Sequence, residues 1–359
     1  MATALGLARR GLGCVWPNPA VGCVLVREGR VAGRGATAPG GRPHAETIAL
    51  ERAGSAAQGA TAYLTLEPCA HHGKTPPCAQ ALIAAGIGRA VVALEDPDPR
   101  VRGRGLEALR QKGIEVSLGV LEGEAVELNA GFIARVTQGR PLVVLKLASS
   151  LDGRIATQSG ESRWITGEVA RARAHLLRAQ HDAVMIGVGT AVSDDPLLSV
   201  RLPGLEQRTP IRIVVDSRLR LPLTSRVVAT AAQQRTWLVT LESAARERAQ
   251  AFQDAAVEVI TVAPTAEGVP DLAEALHEFG RRGLTRLLVE GGAALGAALL
   301  AQRLVDRLVW FHAPRLIGGD GVPAIAPFGL ERLAEAPRFE RTSLVPVGDD
   351  VMALYRAVG

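Results

Sequence analysis

Residues 60–97 read ATAYLTLEPCAHHGKTPPCAQALIAAGIGRAVVALEDP, and this stretch decides the fold class. Its two ends, ATAYLTLEP (60–68) and RAVVALEDP (89–97), are short apolar runs closed by proline and predict strands. PPCAQALIAAG (76–86), bounded by a proline pair and a glycine, predicts a helix between them. Strand, helix and strand in that order predict two parallel neighbours with the helix laid over them. Moving outward, AVGCVLV (20–26) and IEVSLGV (114–120) predict further strands, while HAETIALERAG (44–54) and GRGLEALRQKG (103–113) predict helices. The first third is therefore expected to form a largely parallel sheet covered by helices.

The pattern resets around GFIARVTQGRP (131–141), and PLVVLKLASSLDGRIA (141–156) opens a second series. Strands are predicted over 182–189, 211–217, 236–240, 257–262, 286–292, 307–314 and 350–356, with helices over 167–180, 271–283 and 292–305. A chain of 359 residues exceeds one hydrophobic core. Two α/β domains are expected, 1–139 and 140–359, with the boundary near Gly139.

The formal net charge is +5, and lysine occurs only at positions 74, 112 and 146, so scattered arginines supply the rest. Aromatic residues make up 3% of the chain, too few for base-stacking platforms. A phosphorylated small substrate therefore suits the charge better than nucleic acid. No apolar run reaches the length of a membrane span, and the opening MATALGLARRGLGCVWPNP lacks the pattern of a secretory signal, so a cytoplasmic protein without membrane contacts is expected.

Cys14 and Cys23 flank a loop and an apolar strand and read as structural, whereas Cys69 and Cys78 sit at strand–helix junctions. With His44 they offer one imidazole and two thiolates, the three-ligand set of a catalytic zinc with one position left for water. A zinc ion lowers the pKa of bound water to about 7. Glu46, two residues from His44, is placed to shuttle that water's proton to a leaving amine. Zinc nucleobase deaminases carry H-x-E followed by P-C-x-x-C. Here HAE and PC match, but eight residues (70–77) separate the cysteines, so Cys78 is either a buried apolar residue or the far side of an inserted loop. His71 and His72 stand in that loop as alternative ligands.

PNPAVGCVLV (17–26), HAE (44–46) and EPCAHHGKTPPC (67–78) together resemble the deaminase domain of the RibD family of bifunctional riboflavin biosynthesis proteins. In that family the long cysteine spacing is the usual one. The resemblance implies a cytidine-deaminase-like three-layer α/β domain, with zinc on His44, Cys69 and Cys78 and proton transfer by Glu46. It also implies substrate contacts from Asn18 and Lys74. Asn18 reads equally well as a turn residue between two prolines; Lys74 gains weight from the rarity of lysine.

In the second domain, VEGGAALGAAL (289–299) places a glycine pair between a strand and a helix, where backbone N–H groups can approach a phosphate. It is neither a dinucleotide fingerprint nor a P-loop, which disfavours a Rossmann domain. KLASSLDGRIAT (146–157), GESRWIT (160–166), SDDP (193–196) with LLSVR (197–201), and VEGG (289–292) resemble the reductase domain of the same family. That domain is similar in fold to dihydrofolate reductase and uses NADPH. The resemblance implies that Ala148, Trp164, Thr190, Asp194, Ser217 and the run Gly292, Ala293, Ala294, Leu295, Gly296, Ala297 and Ala298 lie along NADPH. Ser162, Arg178, Leu198, Arg201 and Glu290 would lie along the substrate, the two arginines suiting a phosphate. Lys146 and Asp194 would stand beside the reacting carbon.

The implied function is zinc-dependent deamination of a phosphorylated diaminopyrimidine followed by NADPH-dependent reduction of its ribosyl group, in a homo-oligomer. Two rivals carry other expectations. A tRNA-base deaminase would need aromatics and a basic cluster. A zinc-stabilised scaffold would need no acid/base beside its metal.

Overall fold

The computed structural model describes residues 1–70 and 76–358. The chain divides into two compact units, Met1–Arg140 and Pro141–Gly359.

The first unit holds strands β1 (Gly22–Arg27), β2 (Arg30–Ala36), β3 (Thr61–Leu64), β4 (Arg89–Val92) and β5 (Glu115–Leu118) in the order β2-β1-β3-β4-β5. Its helices are α1 (Ala2–Arg9), α2 (Ala45–Ala53), α3 (Cys78–Ala84), α4 (Arg104–Gln111), α5 (Glu122–Leu128) and α6 (Ala130–Gln138). The β3–β4–β5 half is parallel, as the 60–97 stretch predicts. The other half corrects the expectation of a largely parallel sheet, because β1 runs antiparallel to both β2 and β3. The cause is local. Glu28 and Gly29 both take positive φ, 50° and 72°, the signature of a two-residue hairpin turn that folds β2 back on β1.

Three glycines let the helices sit directly on this sheet. A Cβ at Gly22 would fall 1.9 Å from the Ala4 carbonyl oxygen of α1. Cβ atoms at Gly33 and Gly35 would fall 2.2 and 2.1 Å from the Ala49 and Ala45 carbonyl oxygens of α2. Gly35 is the register partner of Cys23, the neighbour of Gly22, so α1 and α2 lie on opposite faces and the unit has three layers. Leu25, Leu64, Val92, Leu106 and Leu109 fill the core between them.

The second unit contains β6 (Leu142–Ser150), β7 (Arg154–Ala156), β8 (Ala183–Gly187), β9 (Ile211–Val215), β10 (Thr236–Leu241), β11 (Glu258–Val262) and β12 (Arg286–Glu290). β13 (Arg307–Ala313), β14 (Val322–Pro323), β15 (Phe339–Val347) and β16 (Asp350–Ala357) follow. Its helices are α7 (Glu168–Ala179), α8 (Val188–Asp194), α9 (Arg226–Ala229), α10 (Arg246–Asp254), α11 (Leu272–Arg281) and α12 (Ala293–Ala301). Nine strands form one sheet in the order β11-β10-β9-β8-β12-β6-β13-β16-β15, while β7 and β14 form a small separate ribbon. β11 through β13 are parallel, and β16 and β15 close the edge antiparallel.

Chain direction across this sheet explains where a site can form. From β8 the chain steps outward through β9, β10 and β11, then returns with β12 inserted between β8 and β6. The C-terminal ends of β6, β12 and β8 therefore meet where the winding reverses, the place where open parallel sheets leave a crevice. α11 shows how local chemistry starts an element. The Asp271 carboxylate accepts from the Ala273 and Glu274 N–H groups, a cap that contributes about 1 kcal/mol.

Candidate active sites

In the first unit, His44 is the extended residue that caps α2, Cys69 lies beyond β3, and Cys78 is the first residue of α3. His44 Nδ1 is 3.3 Å from Cys78 Sγ and 3.8 Å from Cys69 Sγ, and all three ligand atoms lie within 4.8 Å of one another. Tetrahedral zinc bound to one nitrogen and two sulfurs sets ligand separations of about 3.6–3.8 Å, so the donor set fits that ion in chemistry and spacing. The Cys78 backbone N–H donates to Cys69 Sγ at 3.3 Å, which fixes the sulfur at the start of α3. Cys69 is held far below an ordinary thiol, at about 4, by its hydrogen bond with Cys78 and then by His44. The same hydrogen bond, with burial, pushes Cys78 upward. Both sulfurs would hold zinc as thiolates.

Glu46 stands in the first turn of α2, 3% exposed, and is not one of the three clustered donors. Burial raises its pKa, against a lowering pull from its own backbone and from His44. The cavity beside it measures about 250 Å³ and is lined by Asn18, Arg42, His44, Glu46, Cys69 and Phe132, among others. Asn18 reaches this cavity because residue 41 is glycine: φ is +84°, and a Cβ there would fall 1.9 Å from Asn18 Nδ2. Lys74, His71 and His72 lie outside the described residues.

Sequence reasoning missed further lining residues of this cavity: Glu67, Asp96, Asp98, Arg100, Val101 and Arg135. The acidic repeat EDPDP (95–99) at a strand end was the available signal.

In the second unit, two cavities open at the winding reversal. One, of about 920 Å³, is lined by Lys146, Ala148, Thr190, Asp194 and the turn from Gly291 to Leu295. The other, of about 530 Å³, is lined by Ser162, Trp164, Arg178, Leu198, Arg201 and Glu290. Lys146, Ala148, Ser162 and Asp194 line both, so the cavities meet at the end of β6.

Trp164 lines the second cavity rather than the first, with the Arg171 guanidinium 4.6 Å over its ring. Gly296 and Ala297 are buried within α12 and Ala298 is half-buried there, while Ser217 sits in the turn after β9; none of the four lines the larger cavity. Arg178 forks onto Glu290, Nε to Oε1 at 2.5 Å and Nη2 to Oε2 at 2.9 Å, and Nη1 donates to the Ser199 carbonyl at 3.0 Å. Its guanidinium is therefore held by protein groups.

Lys146 is the register partner of Glu290 across β6 and β12. Burial lowers the Lys146 pKa, and Glu290 opposes that effect. Burial works against the Glu290 charge too, but Arg178 and then Lys146 outweigh it and keep the carboxyl below its ordinary value. Arg178 and Glu290 line the smaller cavity, and Lys146, which lines both, stands beside them at the end of β6.

Comparison with known proteins places both units. Residues 141–353 match the RibD C-terminal domain, and residues 1–94 match the cytidine and deoxycytidylate deaminase zinc-binding region. Riboflavin biosynthesis protein RibD of Escherichia coli K12 is 44% identical over 362 residues, covering 98% of this chain and 96% of that protein. The RibD structure of Acinetobacter baumannii in form 1 superposes with a TM-score of 0.89 at 37% identity, covering 100% of this chain and 98% of that one. A Thermotoga maritima diaminohydroxyphosphoribosylaminopyrimidine deaminase/5-amino-6-(5-phosphoribosylamino)uracil reductase gives 0.86 at 34% identity, covering 100% and 97%. With matches over both units and a zinc donor triad in the first, the chain belongs to the RibD family, the bifunctional deaminase/reductases of riboflavin biosynthesis.

Proposed function

We propose that the two units, 1–139 and 140–359, catalyse consecutive steps on one pyrimidine 5′-phosphate, with zinc held by His44, Cys69 and Cys78. The first substrate is 2,5-diamino-6-ribosylamino-4(3H)-pyrimidinone 5′-phosphate. Water adds at C2, the bond to the 2-amino group breaks, and ammonia leaves. Zinc, when bound, supplies Lewis acidity and lowers the pKa of a water molecule. Glu46 accepts the proton of that water and delivers it to the departing amine; burial raises its pKa. Asn18 and Lys74 hold the substrate.

In the second step the ribosyl group becomes a ribityl chain, giving 5-amino-6-ribitylaminouracil 5′-phosphate. NADPH, when bound along Ala148, Thr190, Asp194 and the first turn of α12, supplies the hydride for C1′. The glycine pair Gly291–Gly292, at φ 82° and 87°, lets the backbone N–H groups of that turn reach a phosphate. Lys146 holds the proton required by the ring oxygen as the sugar opens. Glu290, locked by Arg178, orients the sugar from beside Lys146. Arg201 faces the 5′-phosphate, while Ser162 and Leu198 shape the cavity around the pyrimidine. The enzyme works as a cytoplasmic homo-oligomer, and its scattered positive charge serves a phosphorylated metabolite, with no nucleic-acid or membrane partner.

The observation that carries this reading is a three-donor cluster with a buried carboxyl beside it that is not one of the donors. The Glu46→Ala variant tests it. Zinc content is expected to persist while deamination is lost and reduction of pre-deaminated substrate continues. Loss of zinc would give Glu46 a ligand or folding role instead.

A further inference from the structure

The geometry points to Glu67 as a positioning residue of the deaminase site, one that ties the ligand loop at Cys69 to the cavity lining at Asp96 and Asp98. The inference rests on the deaminase reading of the first unit.

Glu67 is 3% exposed and two residues before Cys69. Its Oε2 accepts the N–H groups of Asp96 at 3.1 Å and Gly103 at 2.9 Å, and its Oε1 accepts those of Gly105 at 2.8 Å and Leu106 at 3.2 Å. Four backbone donors from 96–106 thus converge on one carboxylate, two at the first turn of α4, where negative charge is favoured. That segment carries Asp96, Asp98, Arg100 and Val101 of the cavity wall.

The chain of contacts continues into the pocket. The Asp98 N–H donates to Asp96 Oδ1 at 2.8 Å, and the Arg100 N–H donates to Asp98 Oδ1 at 2.9 Å. The Arg100 guanidinium then forks onto the Asp98 carboxylate. On the other side of Glu67, Pro68 leads straight to Cys69. A Cβ at Gly105 would fall 1.9 Å from the Pro68 carbonyl oxygen, so the first turn of α4 rests against the residue next to the ligand.

Only a carboxylate offers acceptors alone on both atoms. Glutamine in its place would aim an NH₂ at two of the four N–H groups, leaving them unsatisfied and pushing the wall outward. Aspartate keeps the charge but is one methylene short of spanning both pairs of donors.

The test uses the full-length, zinc-loaded chain with the Glu67→Gln and Glu67→Asp variants. Deaminase KM is expected to rise at least about tenfold in each, because displacement of a substrate-facing wall is felt at the reacting centre. Zinc stoichiometry and reductase kinetics are expected to stay at wild-type values. A purely structural role would lower thermal stability but leave the KM of the folded enzyme unchanged. A wild-type KM in the variants that fold would therefore overturn the inference, as would failure of both to fold, which would make Glu67 a folding residue. A wild-type chain that releases no ammonia would instead refute the deaminase reading beneath it.

Discussion

Replacing Arg178 by methionine removes a guanidinium whose side chain is 16% exposed and leaves Glu290, 9% exposed, without its forked partner. Breaking a buried ion pair from one side costs about 3–5 kcal/mol, because the remaining charge stays desolvated. The lower end applies here, since Lys146 still faces Glu290 across the β6–β12 register. A loss of about 3 kcal/mol in a unit of this size lowers its melting point by roughly 6–12 °C. Trp164, Trp237 and Trp310 belong to the second unit and only Trp16 to the first, so tryptophan fluorescence during urea unfolding reads mainly the unit in question. Reductase turnover should fall about 100-fold as Glu290 loses its orientation, with deamination untouched. The double variant Arg178→Met with Glu290→Leu should recover part of the stability and none of the reduction, since the Glu290 charge is no longer stranded while Lys146 loses its partner across the β6–β12 register. A single variant that loses less than about 1 kcal/mol, or a double variant no more stable than the single one, would refute this account of the pair.

Gly41→Ala should raise deaminase KM with little change in zinc content, because the added methyl displaces Asn18 and strains a backbone at φ +84°; steady-state ammonia release with metal analysis checks it. Burial raises Asp96 from 3.8 to about 6, with the Asp98 charge adding to the shift against a lowering backbone hydrogen bond. The folded pKa exceeds the unfolded one, so this stability term is complete below about 4 and is lost as pH rises through about 6. Asp96→Asn should therefore be more stable than wild type at pH 7.5 by at most about 3 kcal/mol, with the gain vanishing by pH 4. Urea unfolding across that range reads the difference; a gain independent of pH would contradict it.

The zinc donors were legible because their chemistry sits in two short motifs, and the strand ends that deliver them are apolar runs bounded by breakers. The hairpin strand β2 was not, since RVAGRGA is polar and glycine-rich. Those glycines serve the close approach of α2, a tertiary demand that local pattern reading takes for a loop. β15, FERTSLVPV, was missed for a related reason: its exposed positions on the sheet edge include Leu344, which blurs the alternation. Arg178 and Glu290 each read as a substrate contact, whereas their mutual bond joins residues 112 apart in the chain. Glu67 was passed over because its four partners are backbone N–H groups, which carry no sequence signal.

One chain holding a zinc deaminase and an NADPH reductase would carry out both steps in series. The most direct test follows zinc content, ammonia release and NADPH oxidation together on the diaminopyrimidine ribosylamino phosphate, before and after chelation. Ammonia release and NADPH oxidation are expected in equal amounts from the zinc-loaded chain. After chelation, ammonia release should cease while pre-deaminated substrate still consumes NADPH. Ammonia release that survives complete removal of zinc, or deaminated product that never oxidises NADPH, would contradict it.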